Sequence, residues 1–364
     1  VLTEGRERRM IDPMRPHRLQ QISSADNVER LRWLRDQLHE EMFALLPTQP
    51  VEEFNEQLNE THDALIIRAI MLAEEEMARM GKGPPPVPYA YLLFGSGGRR
   101  EQTLSSDQDS GLIYRDLPGC EEETKLYFLE LSKLIVGNLV VAGYPPCEGN
   151  VLSENPDWCQ SLLEWRERLG RWFREPEWEA VRYLLIIADG RCVYGDTGLA
   201  DSLKSMFFSD TLNHPVILKR MIENTMRHKV IVNVFGQLLK ERYGEDAGSL
   251  DIKYGAYIPM VNSIRLLAIQ SNIASTSTLE RIKMLVESGK LSREDGDAYE
   301  RAFNCILHLR LLTTEQNEDQ LYAGNGKIHS SKLTKEMADE LKKSLKQGKR
   351  LQKAVYKQTM GRLM

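Results

Sequence analysis

Residues 89–114 read YAYLLFGSGGRREQTLSSDQDSGLIY, and the fold turns on how this stretch is parsed. An unbroken apolar run from Tyr89 to Phe94 predicts a buried strand. The glycine-rich turn Gly95-Ser96-Gly97-Gly98 then opens a short helix, and Leu112-Ile113-Tyr114 predicts a second strand. Glycine lets a backbone come close to phosphate oxygens and leaves amides facing outward at the start of a helix, so Gly95, Ser96, Gly97 and Gly98 are candidate triphosphate contacts. Arg99 and Arg100 follow at once and are candidate cations for the same group. Asp107 and Asp109 are two apart in extended chain, so they project together. Paired hard oxygens suit Mg²⁺, or Mn²⁺ in its place. Two such ions about 3.5–4 Å apart could activate an attacking oxygen and steady departing pyrophosphate.

Neither half of this pattern is informative alone, because Asp-x-Asp and glycine-rich turns are common. Their ordered combination, strand, Gly-Ser, about a dozen residues, Asp-x-Asp, strand, is far more specific. It is not a Walker P-loop, since no Gly-Lys-Ser or Gly-Lys-Thr follows the glycines. Nor is it a dinucleotide fingerprint, since Gly-x-Gly-x-x-Gly is absent and no crossover helix fits between the strands.

The chain has 364 residues, 41% of them apolar, and a net charge of −5, which allows two or three domains and gives no overall basis for binding a polyanion. No apolar run approaches the length of a membrane span, and Arg6, Arg8 and Arg9 precede no apolar segment of the kind a secretory signal needs. Five cysteines, Cys120, Cys147, Cys159, Cys192 and Cys305, contain no Cys-x-x-Cys pair. We expect them reduced and the protein cytoplasmic, with no membrane partner. The lysines from Lys327 to Lys357 could clamp a nucleotide or an acidic partner, but are read as a solvated helix face.

Outward from the central stretch, the pattern predicts an α+β protein, predominantly helical, in three parts: an N-terminal helical region (1–83), a small mixed-sheet core (84–200) and a C-terminal helical bundle (201–364). Residues 1 to about 20 read as poorly ordered. Helices are expected from Asp26 to Leu46 and from Val51 to Met80; their apolar stripes could serve a homodimer or pack on the chain's own core. His39, His62 and Asp63 on them read as surface or boundary polar residues. The proline-rich 83–88 is a stiff connector. A long helix is expected from Glu121 to Val141, an edge strand within 143–152, and a helix opened by Asn155-Pro156 that carries Trp158, Trp165 and Trp172 as packing residues. Another helix from Glu177 ends before Asp189-Gly190. Beyond Leu199 the spacing is helical throughout, with starts at His214-Pro215, Pro259, Ser277 and Ser292.

Gly95-Ser96 followed by Asp107-x-Asp109 resembles the nucleotidyltransferase signature of the DNA polymerase β superfamily. The fuller run Gly98-Arg99-Arg100-Glu101-Gln102 with Ser106-Asp107-Gln108-Asp109 is similar to a bacterial branch of nucleotidyltransferases often fused to CBS domain pairs and related to the uridylyltransferases of nitrogen-signalling proteins. Tyr144-Pro145-Pro146-Cys147, Gly149-Asn150-Val151, Asn155-Pro156-x-Trp158, Gly195-Asp196, Lys253-Tyr254-Gly255 and Ile264-Arg265-Leu266-Leu267-Ala268 extend the resemblance over most of the chain, and its last part matches the domain usually called substrate-binding. No CBS pair is present in this sequence. The resemblance implies Gly95 and Ser96 at the triphosphate and Asp107 and Asp109 on the metal. It matches Arg99 and Glu101 to retained positions, Arg99 touching phosphate and Glu101 orienting Arg99 or capping the short helix that the glycine turn opens. A third carboxylate normally completes such a site; Asp189 is the candidate, with Glu148 behind it, unless Asp189 follows a helix and serves as a cap or ion-pair partner.

The reaction implied is metal-dependent transfer of a nucleoside monophosphate from a nucleoside triphosphate to an acceptor hydroxyl. Similarity to uridylyltransferases favours an acceptor on a protein; a small polyol is the other option, and nucleic acid fits the acidic balance poorly. The competing readings are a nucleotide-binding regulator without turnover and a helical scaffold around an inert α/β insert.

Overall fold

The computed structural model describes residues 15–213, 215–228, 230–233, 237–241, 243–244, 246–316 and 322–362. Before the core, α1 (Arg15–Ser23), α2 (Val28–Leu45) and α3 (Val51–Arg79) pack on one another. The core comprises β1 (Tyr89–Leu93), α4 (Gly95–Arg99), β2 (Ser110–Tyr114), α5 (Glu121–Val141), β3 (Cys159–Ser161), α6 (Leu162–Arg174), α7 (Trp178–Ile187) and β4 (Arg191–Gly195). The remainder is α8 (Thr197–Asn213), α9 (Pro215–Thr225), a π-helical turn (Lys253–Tyr257), α10 (Ile258–Gln270), α11 (Thr278–Glu287), α12 (Arg293–Leu311) and α13 (Lys335–Arg362). The α+β, predominantly helical class read from the sequence is the class observed.

Four strands form one mixed sheet in the order β3-β2-β1-β4, with β1 antiparallel to both neighbours and β3 parallel to β2. Every residue of β1 is buried because both faces of the sheet are covered. Tyr89, Tyr91 and Leu93 point one way, into a core with Leu31, Leu65, Phe128 and Ile135 of α2, α3 and α5. Ala90 and Leu92 point the other way, into a core with Trp165, Leu184 and Phe207. That second core runs without a break to Leu351 and Val355 in α13, so packing crosses the sequence boundary near residue 200. The apolar stripes of α2 and α3 are thus buried on the chain's own core.

Local chemistry explains the helix ends. Asn27 caps α2 through Arg30 N, Ser161 and Glu164 form a reciprocal capping box on α6, and Ser277 and Ser292 cap α11 and α12.

Five expectations need correction. The first described residues are helical rather than loose, since α1 begins at Arg15; residues 1–14 lie outside the described set. No strand forms within 143–152: prolines 145 and 146 supply no amide donors and a turn at Asn150 (φ 53°) breaks the run, leaving one bridge between Gln108 and Pro146. The edge strand is β3 instead. Asn155-Pro156 starts a turn rather than a helix, because Trp158 O accepts from Leu112 N and draws the following chain into the sheet. The three tryptophans still pack together, Trp158 lying 5.9 Å from Trp165 and 6.4 Å from Trp172 between ring centroids. The helix beginning at Pro215 ends at Thr225, short of Val230 and Leu239, and His214 lies outside the described residues. The C-terminal part is not wholly helical, since Ser249–Asp251 pairs with Lys327–His329.

Candidate active site

The Asp-x-Asp segment is held from behind. Gln108 is buried; its amide donates to Pro145 O at 2.9 Å and its side chain to Tyr144 O at 2.8 Å. With Gln108 pointing inward, alternation turns Asp107 and Asp109 to the opposite, partly open side. The pair therefore shares one face, as the spacing predicts.

Asp109 lies against Gly95, across the β1–β2 hairpin. A Cβ at position 95 would come within 2.1 Å of Asp109 Oδ2, and the backbone there has φ +53°, so only glycine fits on both counts. Gly98 is similarly constrained from the other side, where a Cβ would lie 2.0 Å from Asp189 O. The glycines of the signature thus also serve close packing, and Ser96 between them is buried.

Electrostatics at the pair is uncompensated. Burial and the neighbouring Asp107 push Asp109 up to about 6, against weaker opposing effects from Cys147, Arg99 and Lys253. Burial and the same Asp109 raise the Cys147 thiol to about 11. Two carboxylates that destabilise each other in a partly enclosed site form a donor set that fits a divalent cation. Among the described residues no group of three or more His, Cys, Asp or Glu could hold a metal, so the fit rests on these two residues.

Asp189 stands in different surroundings. It follows α7, a helix, and its carboxylate is 1% exposed. Oδ2 accepts from Arg99 Nη1 at 2.6 Å and Arg265 Nη1 at 2.7 Å, and Oδ1 from Arg281 Nη1 at 2.8 Å. Burial alone would raise its pKa, but Arg265, Arg281 and Arg99 outweigh it and hold the group at about 2. These are the surroundings of the ion-pair alternative, and Glu148 is exposed on the loop after α5.

Arg99 is fully committed as well. Its Nε donates to Glu101 Oε2 at 2.8 Å and its Nη2 to Tyr257 Oη at 2.9 Å, and Tyr257 in turn donates to Glu101. Glu101 accepts from Arg99 and also from Thr278 N at 2.9 Å, so the helix end it reaches is that of α11 and not that of α4. Arg100, in a left-handed conformation, is exposed and lies 3.7 Å from Asp63, which Arg191 binds through two hydrogen bonds.

The sequence reading missed the supports of the loop between α4 and β2. Asn59 Oδ1 accepts from Gln102 N, Arg310 Nη1 donates to Glu101 O, and Arg35 Nη2 donates to Leu104 O. His62, expected at the surface or its boundary, is wholly buried between Tyr144 Oη (2.8 Å) and Thr103 O (3.2 Å), and His39 is buried against it. Burial and Arg35 lower His62 to about 3, so it is neutral and serves as a hydrogen-bonding strut. The signal was present as polar residues at helical spacing within the apolar stripes of α2 and α3.

Two family models match the chain. Residues 36–179 match the model described as "Putative nucleotidyltransferase DUF294", and residues 215–359 the model described as "Putative nucleotidyltransferase substrate binding domain". The chain belongs to this nucleotidyltransferase family. Membership supports a nucleotidyl transfer function. The first span holds Gly95, Ser96, Asp107 and Asp109; Asp189 falls between the two spans. A search of curated proteins finds no match to the chain. No described helix is long and apolar enough to cross a membrane.

Proposed function

We propose that the chain moves a nucleoside monophosphate from a nucleoside triphosphate to an acceptor hydroxyl in a metal-dependent reaction at Asp107 and Asp109. The observation that carries this reading is the placement of both carboxylates on one face of a segment clamped through Gln108, directly opposite Gly95. The acceptor oxygen forms a bond to the α-phosphorus as the bond from that phosphorus to the bridging oxygen breaks; pyrophosphate leaves and the acceptor proton passes to solvent. Mg²⁺ or Mn²⁺ held by Asp107 and Asp109 would supply charge neutralisation on the triphosphate and the leaving pyrophosphate. The protein's own part is positioning: Gln108 fixes the pair, and Gly95, lacking a Cβ, admits the Asp109 carboxylate against its backbone. Arg99, Asp189 and Glu101 act in this reading as positioning residues that join α4 to α10 and α11. The acceptor is a protein hydroxyl, a reading supported by similarity to uridylyltransferases, and the C-terminal domain presents it.

One observation favours a second reading, a nucleotide-binding regulator without turnover: Asp189, the candidate third carboxylate, is saturated by arginines. Incubation with labelled triphosphates and Mg²⁺, followed for pyrophosphate release and label transfer, separates the two. Release that stops with EDTA and in Asp107→Asn supports transfer; tight binding without release supports the regulator.

A further inference from the structure

A bound triphosphate needs cations, and the two arginines of the signature are committed elsewhere. Arg99 spends its donors on Glu101, Asp189 and Tyr257, and Arg100 turns toward Asp63. The C-terminal domain offers a different cation. Lys253 opens the π-helical turn that ends at Tyr257. In such a turn residues four or five apart share a face. Tyr257 contacts Arg99 and Glu101, so the face it shares with Lys253 is the one turned to the nucleotidyltransferase core.

The backbone around Lys253 is tied to that core by a second route. The amides of Ile252 and Lys253 both donate to Gly326 O, at 2.9 and 3.0 Å. Gly326 has φ +76°, and a Cβ there would meet Lys253 Cβ at 2.5 Å. Two residues earlier, Gly324 packs on Ser105, whose Oγ would lie 3.3 Å from an added Cβ, and Ser105 is two residues before Asp107. The strap from Gly324 to Gly326 therefore spans from the Asp-x-Asp segment to Lys253. Lys253 is half-buried and has no ion-pair partner among the described residues; its Nζ lies 5.4 Å from the centroid of the Tyr254 ring. Lys327, on the same strap, is by contrast held by Asp246. The charge of Lys253 is felt at Asp109.

We propose that Lys253 is the cation that binds the donor's triphosphate, supplied to the core by the C-terminal domain. The proposal rests on the reading of Asp107 and Asp109 as the triphosphate and metal site. It gives the C-terminal domain a part in the donor site as well as the acceptor site. A π-helical turn suits this role, because the extra residue per turn aims Lys253 and Tyr257 together without lengthening α10.

The test is calorimetric titration of the full chain with non-hydrolysable nucleoside triphosphates and with nucleoside monophosphates, in Mg²⁺, on wild type, Lys253→Met, Lys253→Arg and Asp109→Asn, with melting curves for each. Lys253→Met is expected to weaken triphosphate binding about ten- to a hundredfold, the scale of a lost charge-assisted contact, while leaving monophosphate binding and melting unchanged. Lys253→Arg should recover most of the loss. If Lys253→Met binds triphosphate as wild type does while Asp109→Asn does not, Lys253 is excluded and the metal-site reading stands. If Lys253→Met loses mono- and triphosphate binding alike, or melts early, its role is structural and the proposal falls. If wild type binds none of the nucleotides, both readings fall together.

Discussion

Two aspartates a few side chains apart have opposite fates. Asp109 sits beside Asp107 with no committed cation, and its pKa rises to about 6; Asp189 sits among three arginines with no exposure, and its pKa falls to about 2. Arg99 lies between them, interacting with both, but its hydrogen bond goes to Asp189. A carboxylate whose charge is left uncompensated is available to bind something; one whose charge is fully compensated holds the protein together. Chemistry and architecture are divided between residues of the same type by their partners alone.

The division breaks most visibly in activity. Asp107→Asn or Asp109→Asn should lower pyrophosphate release by about a thousandfold or more while the circular dichroism of the fold is unchanged, since each removes a charge from the pair proposed to hold the metal. Gly95→Ala should do nearly the same, because its Cβ would displace Asp109 Oδ2, and loss of Mn²⁺ binding by calorimetry would show it.

Stability gives the next largest effect, and with the roles exchanged. Asp189→Asn should destabilise the chain by about 3–5 kcal/mol, the scale for removing one partner from a buried ion cluster, measured by urea unfolding. An unchanged urea midpoint would mean that the arginine cluster is not what holds α4 to α10 and α11.

A smaller effect sharpens the contrast through pH. For Asp109 the folded pKa exceeds the ordinary carboxylate value of about 3.9, so its ionisation costs nothing below that pH and penalises the fold as pH rises through about 6. Asp109→Asn should therefore melt above wild type at pH 7.5, by about 3 kcal/mol of stability, with the gap closing by pH 4. For Asp189 the sign is reversed: its stabilisation is present above about pH 4 and is lost as pH falls toward about 2. Smallest of all, Arg100→Ala, at an exposed side chain, should change stability by less than about 0.5 kcal/mol.

Much of the fold was legible because it is written in local chemistry. Gly81 after α3, Glu121 opening α5 and the serine caps of α11 and α12 set element ends that sequence spacing also sets. The misplaced elements share one cause. Whether 143–152 or 159–161 becomes the edge strand depends on which segment pairs with the open side of β2, and the latter wins because Trp158 O accepts from Leu112 N, a pairing that no local pattern encodes. The site divides in the same way. The placement of Asp107, Asp109 and Gly95 was visible because they are neighbours in sequence, whereas Asn59, His62 and Arg310 reach the same loop from α3 and α12.

By itself the sequence determined the strand-turn-strand hairpin, the shared face of Asp107 and Asp109, and the helical character of the rest, since each follows from backbone periodicity and residue type over a few turns. Only the tertiary structure decided which charges meet. Arg99, Asp189, Arg265 and Arg281 are separated by as many as 182 positions in the chain, yet they share one buried cluster. Inside a low-dielectric interior the identity of the partner outweighs the identity of the residue, and that is why the same side chain is left uncompensated at 109 and serves as keystone at 189.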